Sequence, residues 1–393
     1  MEQVLEGVSK PIKLWLPEAE METGCLQQAA HLSALPFIHK HVAIMPDTHQ
    51  GYGMPIGAII ATKGVIIPNA VGVDIGCGMN VLKTSISASE VDSEKVDKIM
   101  HQVSRSIPVG RYHHKQEQLT THMPEPIFGT TDYLTIESHY QSARKQIGTL
   151  GGGNHFIELQ KGSDGYIWLM IHSGSRNVGL QVAKHYNKKA KKLNLRWYSQ
   201  VPPEFQLDFL PLDTDEGQDY LEEMQWCVNF AAGNRQLMME RFFNAFYESY
   251  PEASIVHEYD VPHNYATLEK HYGENVMVHR KGATSAKVDE VCIIPGSYGS
   301  FSYIAIGKGN QESFMSCSHG AGRTMSRAAA KKQLDLEQEK KLLDESGVVH
   351  GMRNENDLDE APSAYKDIKT VMERQKDLVE ICVELKPLAV MKG

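Results

Sequence analysis

In Asp74-Ile75-Gly76-Cys77-Gly78 an acid and a thiol stand three residues apart among glycines, downstream of the apolar run Val65-Ile66-Ile67. Far along the chain, three histidines occupy similar polar settings: Asn154-His155, His172-Ser173-Gly174 and Pro262-His263-Asn264. A fourth, His319, lies in Ser318-His319-Gly320-Ala321-Gly322. One thiolate, several imidazoles and a carboxylate form a donor set for Mn, Fe, Co or Zn, whereas Mg and Ca take mainly oxygen ligands. The glycines let the backbone approach a metal or a phosphate closely. The spacings match neither a zinc finger nor HExxH, so the residues alone imply a metal site without naming the ion.

The other chemistry-bearing residues need filtering. Of 18 histidines, His31, His39, His101, His139, His185 and His350 lack a turn setting and read as structural or surface residues. His49, in Asp47-Thr48-His49-Gln50-Gly51, is intermediate. Six scattered cysteines form no CxxC pair, so neither a disulfide framework nor a zinc ribbon is expected. Cys227 and Cys382 read as small buried apolar residues. Three glycine-rich segments, 148–153, 295–300 and 319–323, suit a nucleotide held by backbone amides, though none is a Walker A or Rossmann fingerprint. Arg176, Arg280, Lys281, Arg323 and Arg327 are candidate phosphate clamps.

Elements that must position these residues follow from periodicity. Strands are expected at Val42–Pro46, at Tyr166–Ile171 with His172 at its end, and at Val276–Val278, Val291–Ile294 and Tyr303–Ile306. A strand pair is expected over Ala58–Ile67, turning at Lys63-Gly64. Helical spacing marks Gly217–Tyr247, Asp367–Leu385, and Ala321–Lys332 beginning just after His319. The apolar run Leu388–Met391 reads as a strand that docks Lys392 inward. Loops are expected at Lys115–Phe128, Tyr198–Asp215 and Glu345–Pro362. Strands and helices do not alternate as βαβ units, so the fold class is α+β. Candidate ligands run from Asp74 to His319 with no linker between, so residues 1–393 are expected to form one domain despite their length.

Composition narrows the class. Hydrophobic content of 41% and charged content of 23% are those of an ordinary globular protein. No apolar run is long enough for a membrane span and no signal pattern opens the chain, so a cytoplasmic location is expected. A net charge of −9 argues against a broad nucleic-acid surface but leaves room for a local basic channel. Two basic runs qualify, Arg105–Lys115 and Lys184–Trp197, each also readable as a solvated face.

Taken in order, several segments resemble the RtcB family of RNA ligases. They are Val71–Asn80, Gly153–Glu158, His172–Arg176, His263–Tyr265, Arg280–Ala283, Ile294–Ser297, Ser318–Arg323 with Ser326-Arg327, Ala364–Asp367, and Lys392-Gly393. The resemblance implies a single α+β domain of RtcB-like fold with mixed sheets and flanking helices. It implies a ligase that uses GTP and two Mn²⁺ ions to join RNA 3′-phosphate or 2′,3′-cyclic phosphate ends to 5′-hydroxyl ends, in RNA repair or tRNA splicing. Carried over by position, Asp74, Cys77, His155, His172 and His263 would hold the metals, with Cys77 shared. His319 would become guanylylated. Asn154, Phe156, Glu158, Ser297, Ser302, His319, Gly320, Ala321, Gly322, Tyr365 and Lys392 would bind the nucleotide, with Tyr365 stacked on guanine. The resemblance also raises an archease-like activator as a partner. Departures from the family pattern at Gln50, Tyr52, Met54-Pro55 and Asn177 touch neither the ligands nor His319, and point to a paralogue serving RNA repair. Two other classes use the same residues: a dinuclear-metal phosphoesterase or nucleotide hydrolase, and a catalytically silent RNA-binding protein.

Overall fold

The computed structural model describes residues 1–127 and 135–393. Phe128, the last residue of the expected loop Lys115–Phe128, lies outside the described residues. Two antiparallel-rich sheets carry the fold, with helices against their outer faces, and the class is α+β as expected.

The seven-stranded sheet runs in the order Ile255–Pro262, Gly78–Ser87, Tyr166–Ser173, Phe156–Gly162, Val379–Lys392, Ser302–Gly307, Val291–Ile294. Alternation sends Leu82, Leu159, Leu169 and Ile171 to one face, against Met238, Phe242 and Phe246 of the long helix Asp215–Tyr247. Met79, Val81, Trp168 and Met170 point the other way, against Tyr298, Ile304 and Leu343. The long helix starts where Thr214 accepts the Gly217 N–H, with Asp215 and Glu216 in the first turn. The six-stranded sheet runs Gln3–Leu5, Ile12–Leu14, Ile38–His49, Ile56–Thr62, Glu274–Lys281, Asn264–His271.

The two sheets meet where the function was expected. Ile255–Pro262 edges one sheet and Asn264–His271 edges the other, so His263 is the residue at which the chain crosses between them.

Several expected elements differ. Asp367–Leu385 is not one helix. Asp367 caps a short helix, Ile368–Arg374, and the chain then enters the strand Val379–Lys392. Val379, Ile381, Val383 and Leu385 fit period two as well as a helical face, and their β-branches and waiting neighbours on both sides favour the strand. The helix expected from Ala321 begins at Arg327, capped by Ser326. Gly322 is left-handed at φ 74°, and a Cβ there would lie 2.0 Å from the Asp47 carbonyl oxygen, so no helix can pass through it. The expected hairpin at Lys63-Gly64 does not form, because Val65-Ile66 pairs with Leu210-Pro211. Cys227 is buried as expected, whereas Cys382 is exposed on the strand Val379–Lys392.

Candidate active site

Three ligand candidates sit at one end of the seven-stranded sheet. Cys77 immediately precedes Gly78–Ser87, His155 immediately precedes Phe156–Gly162, and His172 lies near the end of Tyr166–Ser173. Register aligns His172 with both Met79 and Phe156. Asp74 comes from the turn before Cys77. Gly174 leaves room for its carboxylate: a Cβ there would lie 2.3 Å from an Asp74 oxygen.

The five side chains form two triads sharing one thiol. Cys77, His172 and His263 make one, and Asp74, Cys77 and His155 the other, with donor atoms within 4.8 Å of each other in each. The Cys77 Sγ lies 3.3 Å from His172 Nε2 and 3.5 Å from His155 Nε2. His155 Nε2 is 3.0 Å from Asp74, and the Nε2 atoms of His172 and His263 are 3.3 Å apart.

Backbone carbonyls set the tautomers. His155 Nδ1–H donates to the Leu150 carbonyl at 2.9 Å, and His172 Nδ1–H donates to the Asn154 carbonyl at 3.1 Å. A carbonyl only accepts, so Nδ1 carries a proton in both rings, and in a neutral His172 the Nε2 lone pair is directed at the thiol. Burial holds His172 and His263 well below the ordinary imidazole range, leaving both neutral. Burial, and then Asp74, push the Cys77 thiol up. Neutral imidazoles aimed at a thiol and a carboxylate in a buried pocket fit a pair of borderline cations, which would deprotonate the thiol on binding.

Two polar residues of the long helix brace this centre. Arg235, fully buried, grips Asp260 through two bonds of 2.6 Å and donates to the carbonyls of Gly76 and Ser173 at 2.8 and 2.9 Å. Asn234 bonds Gly148, Thr149, Ser173 and Gly174. Sequence reasoning missed both by treating the helix as plain core. The available signal was Asn234-Arg235 on the stripe that Ala231 and Met238 mark as buried.

His319 follows the strand Ser316–Ser318, with its ring centroid 4.8 Å from that of His263. Its Nδ1 lies 2.7 Å from an Asp47 carboxylate oxygen, which also accepts the His319 backbone N–H at 3.2 Å. Burial pushes the Asp47 carboxyl up, but the bond and charge of His319, with Lys366 behind, outweigh it and hold the group below its usual value. An ionised Asp47 only accepts, so Nδ1 carries a proton, and whenever the ring is neutral its lone pair lies on Nε2. Asp47 was not among the sequence candidates. Its signal was weak, a lone acid at a strand end beside His49. No helix starts at His319, so a helix dipole does not act on it.

A cavity of about 940 Å³ joins these groups to the nucleotide candidates. Asn154, Phe156, Ser297, Gly320, Ala321, Gly322, Tyr365 and Lys392 line it. Glu158 and Ser302 lie behind the lining, linked by Gln160, whose Nε2 reaches Glu158 at 2.6 Å and Ser302 at 3.3 Å. Gln160 shares a strand face with Phe156 and Glu158, so period two would have found it. Burial pushes the Glu158 carboxyl up to about 8, against the pull of Lys392 and Gln160. Lys392 pairs in register with Phe156 and sits over its ring at 5.2 Å. Glu360 gathers the cations at this end: Arg327 at 2.8 Å, Arg323 at 3.3 Å and Lys392 at 3.9 Å, and it accepts the Tyr365 hydroxyl. Arg323 covers the Tyr365 ring at 4.9 Å.

The proposed phosphate clamps divide. Arg176, Lys281, Arg323 and Arg327 line the cavity. Arg280 does not. It is fully buried, held by Glu269, Ser316 and the Phe314 carbonyl, because an unpaired guanidinium inside the core would be costly. Lys281 donates to the carbonyls of Tyr52, Met54 and Asn69, and burial lowers it to about 7. The divergent loop is thus anchored through backbone atoms, which tolerate its unusual side chains. His49 lines the cavity as well.

Two triads with donor sets suited to a metal share a thiol and stand beside a histidine held by an aspartate, in a chain of α+β class. Its family is clear: residues 28–393 match the family model described as tRNA-splicing ligase RtcB, and the chain belongs to the RtcB family. The chain is 37% identical to the RNA-splicing ligase RtcB of Escherichia coli K12, over 100% of this chain and 99% of that protein. It is 32% identical to the tRNA-splicing ligase RtcB of Thermococcus kodakarensis, over 96% of this chain and 93% of that one. Among the described residues no helix is long and apolar enough to cross a membrane.

Proposed function

We propose that this protein is an RNA ligase that joins 3′-phosphate or 2′,3′-cyclic phosphate ends to 5′-hydroxyl ends at the expense of GTP, in tRNA splicing or RNA repair. The observation that carries the reading is His319, oriented by Asp47, next to two triads that share Cys77 within one cavity.

Two Mn²⁺ ions held by Asp74, Cys77, His155, His172 and His263 would draw negative charge from the reacting phosphates. Every other part is assigned to the chain. Nε2 of His319 attacks the α-phosphorus of GTP; a P–N bond forms, the P–O bond to pyrophosphate breaks, and pyrophosphate leaves. Asp47 keeps the Nδ1 proton in place and stabilises the positive charge that develops on the ring. An oxygen of the RNA 3′-phosphate then attacks the same phosphorus and the P–N bond breaks, returning the lone pair to Nε2. Finally the 5′-hydroxyl attacks the activated RNA phosphorus, loses its proton, and expels GMP. Lys392, Glu158 and Tyr365 hold the base. This reading takes residues 1–393 as one functional unit, with Asp47 supplied by the six-stranded sheet and Cys77, His155 and His172 by the end of the seven-stranded one.

The test is incubation with α-labelled GTP and Mn²⁺, followed by RNA bearing a 3′-phosphate and a 5′-hydroxyl. The ligase reading expects a covalent GMP adduct, lost in His319→Ala, and a sealed product. Hydrolysis without an adduct would establish the phosphoesterase reading, and metal binding without either reaction the silent one.

A further inference from the structure

We infer that the solvent face of the helix Arg176–Arg196 is the track on which a single-stranded RNA backbone lies as its end enters the cavity. The inference rests on the ligase reading above.

The helix begins at the active site. Arg176, Asn177 and Leu180 line the cavity. Arg176 is left-handed at φ 57°, and its guanidinium fixes the junction by donating to Thr149 at 3.1 Å and to the Gly110 carbonyl at 2.9 Å. Successive residues turn by about 100°, so Lys184, Lys188, Lys191 and Lys192 fall within about 60° of Asn177 and continue its stripe outward. Val178, Val182, Tyr186 and Ala190 face the opposite way, into the core. From Asn177 to Leu195 the stripe runs roughly 27 Å.

The charge on this stripe is available. Among the described residues, none of Lys184, Lys188, Lys191, Lys192 and Arg196 forms an ion pair, although many other surface lysines and arginines do. Asp208 lies close enough to Lys191 to feel its charge but is not paired with it. In a chain of net charge −9, four aligned lysines without ion pairs, leading from a reaction centre, are a local positive rail. Beyond the lysines the chain carries two adjacent exposed aromatics, Tyr198 at 91% exposure and Trp197 at 41%, the latter turned about 160° from Asn177 by the same step. A basic track with aromatic platforms is the chemistry that holds single-stranded nucleic acid: cations follow the phosphates and rings stack on unpaired bases.

The test compares the wild-type protein, Lys184→Glu/Lys188→Glu/Lys191→Glu, and a control with the same charge change elsewhere, Lys98→Glu/Lys341→Glu/Lys376→Glu. Binding of a labelled single-stranded RNA ending in 3′-phosphate is followed by anisotropy over a range of salt. The track variant is expected to bind at least about tenfold more weakly, and its plot of log affinity against log salt to flatten by roughly 2, about 0.7 per lost phosphate contact. The control should stay near wild type. Formation of the GMP adduct, which needs no RNA, should be unchanged in both. Trp197→Ala/Tyr198→Ala should weaken binding by roughly tenfold with the salt slope intact. Trp15, Trp168 and Trp226 are buried, so quenching of tryptophan fluorescence by RNA should vanish with Trp197. Unchanged affinity and slope in the track variant, or an equal loss in the control, overturns the inference. If the wild type seals RNA while the track variant binds normally, only the track falls. If the wild type neither forms the adduct nor binds RNA, the ligase reading falls with it.

Discussion

The two ends of the cavity are built on opposite plans. At the metal end two of the three histidine donors are fixed from behind. Leu150 and Asn154 carbonyls orient His155 and His172, and Arg235 ties the turn of Cys77 to the strand end of His172. At the nucleotide end the polar groups satisfy each other. Glu360 pairs with Arg323, Arg327 and Lys392 and accepts the Tyr365 hydroxyl, while Gln160 joins Glu158 to Ser302. The first end is preorganised, and substitutions there remove function outright. The second must exchange internal bonds for ligand bonds, so substitutions there shift affinity by degrees.

The largest effect is expected at the shared thiol. Cys77→Ala removes one donor from both triads at once. Metal content should fall for both ions, and adduct formation and sealing should each drop by at least about two orders of magnitude, given that even outer-shell losses cost 10–100-fold. Near-normal metal stoichiometry by elemental analysis would break the shared-ligand assignment. His319→Ala separates the metals from the nucleophile. Its metal content should be normal and its GMP adduct absent, yet it should still seal RNA supplied with a guanylylated 3′ end. A normal adduct would move the nucleophile to another histidine.

Asp47→Asn sharpens the same point. The amide keeps the shape but can donate where the carboxylate only accepted, so the His319 tautomer is no longer enforced. The adduct rate should fall by roughly 10²–10⁴-fold, the scale seen when an orienting aspartate is neutralised, while GTP affinity and metal content hold. A rate within threefold of wild type would make Asp47 a structural cap.

This contrast also explains what the sequence disclosed. Asp74, Cys77, His155, His172 and His263 were legible because their types are chemically rare together and each stands at a strand end or a turn. Asp47 and Arg235 were not legible, since an acid or an arginine alone carries no spacing signal and their meaning comes from partners 272 and 159 residues away. The long helix was legible because its period runs over many turns. Asp367–Leu385 was not, because seven residues alternating Val, Ile and Leu with Glu and Cys satisfy two periods, and only neighbouring strands decide between them. Arg280 was misassigned because basic character does not reveal burial.

At the nucleotide end the effects should be smaller. Removing Lys392-Gly393 takes away one cation from the Glu360 cluster and the cap over Phe156. Guanylylation should show a raised GTP requirement of about tenfold to a hundredfold, the worth of one charged hydrogen bond, with the maximal adduct yield kept. Equal use of GTP before and after truncation would return Lys392 to a structural role.

The smallest effect, and the most specific, is a proton. Burial first, opposed by Lys392 and Gln160, raises Glu158 to about 8, so at pH 7 its carboxyl is mostly neutral before guanine binds. An unfolded glutamate ionises near the ordinary value of 4.5, so this group's contribution to stability declines as pH rises from there to about 8 and is constant above. Guanine presents N1–H and an amino group, both donors, to whatever accepts them. If Glu158 receives them, bound guanine favours the carboxylate and the site must release a proton. Affinity for GMP should therefore rise with pH up to about 8 and then level. Calorimetry at pH 7 in two buffers of different ionisation enthalpy should find close to one proton released per GMP bound, and Glu158→Gln should abolish that release while retaining the fold. Proton uptake on binding, or a release that survives in Glu158→Gln, would show that guanine does not reach this carboxyl and would leave Glu158 as a buried brace for Gln160.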